Sequence, residues 1–133
     1  SGIAIIRTDT EVSRAVSSNC AEAIRAENKK ELERDIGDAG LEVLATLLYR
    51  GPSTRADIDY IRGVNTSSTL RNLLARSLVS RMGNPNDARE YIYRPTVELL
   101  SHLGVQGVSS LPDYESIWKE LTPFEQKNDS PSI

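Results

Sequence analysis

The stretch Gly51-Pro52-Ser53-Thr54-Arg55-Ala56-Asp57-Ile58-Asp59-Tyr60-Ile61-Arg62-Gly63-Val64-Asn65 punctuates three helices in succession. Gly51 followed by Pro52 ends a first helix, because glycine takes the left-handed turn and proline cannot continue the ladder. Ser53 or Thr54 offers a side-chain oxygen to cap a second, in which Ile58 and Ile61 form the inner face. Gly63 supplies the left-handed residue that ends it, and Asn65 is expected to cap a third. Upstream, Leu41, Leu44 and Leu48 share a helical face that Val43 and Leu47 widen, with Asp38 at its start. Downstream, Leu70, Leu73 and Leu74 point inward, leaving Ser67, Ser68, Arg71, Asn72 and Arg76 on the outer face.

Next come two strands, Leu78 to Met82 and Tyr91 to Arg94, joined by the turn-rich Gly83-Asn84-Pro85-Asn86-Asp87. Three helices and a two-stranded wing make a winged helix-turn-helix, a mainly α fold with a small β wing. Pro95 suits the first turn of a further helix carrying Val97, Leu99, Leu100 and Leu103, which Gly104 ends. Leu111-Pro112-Asp113 opens a last helix, with Tyr114, Trp118 and Leu121 expected to clamp it down. Before this domain, Ile3 to Arg7 and Glu11 to Val16 read as a β-hairpin, since Ile3, Ile5, Val12 and Val16 fit a two-residue alternation. Ser17-Ser18-Asn19 would cap a helix from about Cys20, and Asn28 to Asp38 reads as a solvated helix or connector. The expected division is residues 1–37, residues 38–122 as the winged helix, and a disordered polar tail over 123–133.

Composition narrows the function. With 133 residues, 38% hydrophobic and 26% charged, the chain is an ordinary globular protein of one domain or two small ones. No apolar run approaches the roughly 20 residues of a membrane span. The missing initiator Met suggests a fragment, no secretory signal is visible at the start, and a single cysteine suits a reducing cytoplasm. One cysteine, Cys20, and one histidine, His102, leave little material for a disulfide, a zinc site or a catalytic triad. Cys20 reads as a small buried hydrophobe and His102 as a partner of its helix dipole. Neither a glycine-rich phosphate loop nor a convincing carboxylate pair is present, so no catalytic residue, metal or cofactor is expected. The net charge of -3 argues against a protein that coats nucleic acid. Between Gly51 and Leu111, however, seven arginines face five acids.

The wording of several segments is specific. Tyr49-Arg50-Gly51-Pro52-Ser53-Thr54-Arg55-Ala56-Asp57-Ile58, then Ile61-Arg62-Gly63-Val64-Asn65, then Leu70-Arg71-Asn72-Leu73-Leu74 resemble the second winged-helix domain of the segregation and condensation protein B family. Tyr93-Arg94-Pro95-Thr96, His102-Leu103-Gly104 and Ser110-Leu111-Pro112 extend the resemblance over most of residues 39–121. It departs at the wing tip, in the tail after Leu121, and before residue 38, where residues 1–37 look like the remnant of a first winged-helix domain. The resemblance implies a non-enzymatic accessory subunit that binds the middle of the kleisin (ScpA) and, through it, SMC. It also implies a cytoplasmic, nucleoid-associated protein whose self-association lies mainly in the first domain. An orphaned hairpin could still pair with a second copy.

Candidate partner-binding residues are Arg55, Arg62, Val64, Arg71, Tyr91 and Tyr93, the two tyrosines alternating on one side of the wing. Ser67, Ser68, Arg71, Asn72 and Arg76 are candidates for at most weak DNA contact, and Gly63 and Asn65 have structural roles. Arg62 also has a structural alternative, an ion pair with Asp59 or Asp57. The competing function is a winged-helix DNA-binding transcription regulator, motivated by the four arginines and no acid from Arg62 to Asn84.

Overall fold

Thr54 starts the central helix as the sequence suggests, its hydroxyl accepting from the Asp57 amide at 3.1 Å, and Gly63 ends it at φ 76°. In the computed structural model, which describes residues 9–28 and 30–122, this helix is α3 (Arg55–Arg62). It follows α1 (Asp9–Asn28), α2 (Lys30–Arg50) and the short strand β1 (Ser53–Thr54). After it come α4 (Ser67–Ala75), the wing strands β2 (Val79–Asn84) and β3 (Asp87–Pro95), α5 (Val97–Leu103), a 3-10 turn (Val108–Ser110) and α6 (Tyr114–Leu121).

The spine is α2. Leu41, Val43, Leu44, Leu47, Leu48 and Tyr49 are each at most 1% exposed, because neighbours cover this half of the helix all round. Ile58 and Ile61 of α3, Leu70 and Leu73 of α4, and Leu99 and Leu103 of α5 complete the core with Tyr93 of the wing. The sheet order is β1-β3-β2, all antiparallel, with Ser53 opposite Tyr93 and Arg81 opposite Tyr93 on the other side. Asp59 ties α3 to α4 by accepting from the Thr66 amide at 2.8 Å and the Thr66 hydroxyl at 2.6 Å. Thr66 occupies the N-cap position of α4 without a side-chain capping bond, and Asn65, one residue earlier, supplies the side-chain oxygen that accepts from the first helical amide, Ser67, at 2.9 Å.

The N-terminal reading needs correction. Glu11 to Val16 is helical, not a strand, and Ser17-Ser18-Asn19 lies inside α1 rather than at its start. Val12, Val16, Cys20 and Ile24 recur every four residues, and the first two also satisfy an alternation of two. The buried face settles the period: Val16, Cys20, Ala21 and Ile24 join the same core as α2 and α3. Pairing of an orphaned hairpin with a second copy loses its second strand; Ile3 to Arg7 lies outside the described residues, as does the tail 123–133. Of the stretch Asn28 to Asp38, Asn28 ends α1 and Lys30 to Asp38 form the first part of α2, where Leu32 and Ile36 are buried.

Gly37, at φ 71° and ψ 179°, kinks α2 between those residues and the spine. That backbone conformation is essentially restricted to glycine. An added Cβ at Gly37 would meet nothing within 4 Å, so strain alone opposes a side chain there. Gly37→Ala is expected to cost about 1–3 kcal/mol and lower the melting temperature by several degrees. An unchanged thermal melt would show that the kink is not obligatory.

Three smaller differences lie at the C-terminal end. Pro95 closes β3, and Thr96 caps α5 by accepting from the Leu99 amide at 3.1 Å. Val97 is 76% exposed, so it is not a core residue. Trp118 is 39% exposed and does not clamp α6. Tyr49 does, through its hydroxyl on the Pro112 carbonyl at 2.8 Å and its ring stacked on Tyr114 at 5.9 Å. Among the described residues no helix is long and apolar enough to cross a membrane.

Candidate functional site in the groove between α4 and the wing

A twisted hairpin leaning over a helix leaves a groove between them, and here it encloses about 360 Å³. Ser67, Leu70, Arg71 and Leu74 of α4 form one wall, since positions three and four apart share a helical face. Arg89, Tyr91 and Tyr93 form the other, because alternate residues of β3 share a sheet face. Arg81 joins them from β2, and Arg55 closes one end from the start of α3.

The charges are unequally matched. Arg55 donates to the Ser67 hydroxyl at 2.5 Å and lies 3.5 Å from the Asp59 carboxylate. Arg81 sits over the Tyr91 ring, 3.9 Å from its centroid, a cation–π contact that holds the charge without neutralising it. Arg89 pairs with Asp87 at 3.1 Å; bonds from its side chain and then its amide hold the Asp87 carboxyl below the ordinary carboxylate range. Glu90 accepts from the Asn84 amide group at 3.0 Å. Arg71 is exposed and has no hydrogen bond or ion pair among the described residues.

The structure brings Arg55, Ser67, Arg71, Tyr91 and Tyr93 together in this groove. Tyr91 is 45% exposed and Tyr93 only 7%, so one is accessible and the other is floor. Val64, exposed, lines an adjoining hollow with Tyr60, and Arg55 and Ala56 line both. Ser68 and Asn72 remain exposed on the outer side of α4. Arg76 donates to the Asn72 side chain at 3.3 Å and lies near His102, Glu31 and Asp35.

Arg62 does not join the site, and neither Asp59 nor Asp57 is its ion-pair partner. Its guanidinium turns inward to the Glu42 carboxylate of α2 and donates to the Ser17 hydroxyl of α1 at 3.3 Å. Sequence reasoning missed Arg81 and Arg89. The signal was the alternation Arg89, Tyr91, Tyr93 with Arg81 directly across from Tyr93.

Elsewhere, no group of three or more His, Cys, Asp or Glu among the described residues is placed to hold a metal. Cys20 is fully buried; desolvation, then the charge of Glu120, pushes its thiol from 9.0 to about 12. The folded protein keeps that proton over a range in which the unfolded chain loses it. The resulting stability is complete below pH 9.0 and is lost as pH rises towards about 12. Cys20 is expected to resist iodoacetamide at pH 8 and to react at once in denaturant. Rapid native labelling would mean that α1 leaves the core.

Helices α2 to α4 followed by a hairpin wing define a winged-helix protein. Residues 1–114 match the sequence profile of the family described as segregation and condensation complex subunit ScpB, and the chain belongs to that family. It is 31% identical over 134 residues to segregation and condensation protein B of Lactococcus lactis, covering 98% of this chain and 71% of that one. To the Streptococcus gordonii protein of the same name it is 33% identical over 132 residues, covering 96% and 70%. Among solved structures, wild-type MarR from E. coli in its apo form superposes with a TM-score of 0.50 at 18% identity, covering 95% of this chain and 90% of that one. That likeness concerns the fold alone. The chain is thus a subunit of the segregation and condensation type, built on a winged helix.

Proposed function

We propose that the chain is a non-enzymatic adapter that grips the middle region of the kleisin subunit and, through it, joins the SMC complex in the cytoplasm at the nucleoid. The observation that carries this reading is the groove between α4 and the wing, which offers half-buried aromatic and aliphatic floor inside an arginine rim. Interfaces concentrate their binding energy in that combination of tyrosine, arginine and excluded water. Isothermal titration of the chain with the purified kleisin middle region is expected to show saturable binding. Absence of heat and of co-elution across the whole region would sink the reading.

A second reading is a DNA-binding regulator. It is favoured by the outer side of α4, where Ser68, Arg71, Asn72 and Arg76 are exposed without a carboxylate between them. A mobility-shift assay at physiological salt separates the two. Sequence-specific retardation lost in Arg71→Ala supports the regulator, and weak, salt-sensitive, sequence-blind retardation supports the adapter.

A further inference from the structure

We propose that the groove between α4 and the wing is the seat of an acidic segment of the kleisin bearing an apolar anchor. Its carboxylates lie over Arg71 and Arg81, and the anchor rests on Leu74 and Tyr93. This inference depends on the adapter reading and adds to it the address and the chemistry of the contact.

Charge complementarity is the first argument. The whole chain has a formal net charge of -3, yet four arginines and one acid, Glu90, line this groove, and only Arg55 and Arg89 have carboxylate partners, Asp59 and Asp87. Arg71 is unpaired among the described residues, and Arg81 is held by a ring rather than by an acid. Guanidinium groups bind carboxylates through paired N–H donors, so these two sites are ready for such a ligand.

The floor is the second argument. Leu74 is half-buried and Tyr91 is 45% exposed, with Tyr93 beneath them, leaving apolar surface that a partner can cover. A phosphodiester backbone would satisfy the arginines but leave that floor wet. An acidic peptide with a leucine or aromatic residue satisfies both wall and floor. Because Arg55 and Ala56 line both hollows, a segment leaving the groove passes directly to exposed Val64.

The test uses overlapping fluorescent peptides tiling the kleisin middle region, the intact region itself, and a duplex DNA of random sequence. Each is titrated against the unaltered chain, Arg71→Glu and Tyr91→Ala; both positions are exposed, and circular dichroism checks that the fold is kept. The tightest peptide is expected to carry net negative charge and an apolar residue. It should weaken about tenfold or more in Arg71→Glu, and weaken again when its own carboxylates become amides. Should only the intact region bind, the same loss in Arg71→Glu supports the proposal. Equal binding to all three proteins, or a neutral or basic best peptide, overturns the address while leaving the adapter reading intact. Loss of DNA binding alone in Arg71→Glu overturns it in favour of nucleic acid. If neither peptides nor the intact region bind, the adapter reading itself fails and takes this one with it.

Discussion

Tyr49→Ala is expected to lower folding stability by about 3–5 kcal/mol, among the largest effects available in this chain. Tyr49 is fully buried, with a relative accessibility of 0%. The substitution removes a large side chain from the middle of the core and deletes the stack on Tyr114. It also leaves the Pro112 carbonyl without the hydroxyl that now reaches it at 2.8 Å. Because Pro112 and Tyr114 flank the start of α6, that helix should loosen first. Trp118, the single tryptophan, sits in α6 and reports the loosening by fluorescence during urea unfolding. Tyr49→Phe isolates the hydroxyl and is expected to cost about 1–2 kcal/mol. If alanine and phenylalanine proved equally mild, the α6 clamp would lie elsewhere.

Arg62→Ala is the second large effect, with an expected loss of about 2–4 kcal/mol. Its side chain is 13% exposed, and that of Glu42, its ion-pair partner on α2, is 21% exposed. Removing the guanidinium leaves the Glu42 carboxylate largely out of water and facing a gap. It also breaks the bridge to Ser17, whose hydroxyl lies 3.1 Å from the Thr46 hydroxyl in the buried seam between α1 and α2. The three helices that meet at Arg62 should therefore separate more easily. A double-mutant cycle with Glu42→Gln measures the coupling by chemical denaturation. Arg62→Lys should rescue only partly, since an ammonium cannot serve Glu42 and Ser17 in the same fork geometry. A stable Arg62→Ala protein that had lost kleisin binding would instead assign Arg62 to the interface.

How much was legible depended on how local each decision was. The turn from Gly51 to Thr54, the left-handed Gly63 and the paired wing strands rest on backbone restrictions of single residues and their neighbours. The core leucines followed from a period that only one element type could satisfy. Val12 and Val16 were misread because four is a multiple of two, so helix and strand explained them equally well. Two residues of β1 are too few to announce themselves; they pair because α2 and α3 deliver Ser53 beside Tyr93. In the groove, Arg55, Arg71, Tyr91 and Tyr93 were visible as residue types, whereas Arg81 and Arg89 required knowing which faces of the hairpin meet α4.

Local chemistry thus determined the element order, the stops at Gly51, Gly63 and Gly104, and most of the residues that go inside. Its particular wording also pointed to the family. Only the tertiary structure decided that Arg62 belongs to the packing of α1, α2 and α3, that α1 is a helix in the same core, and that four arginines share one groove. Those outcomes depend on neighbours distant in sequence. An arginine's partner is chosen by which carboxylate the fold brings near it, and Glu42 lies twenty residues from Arg62.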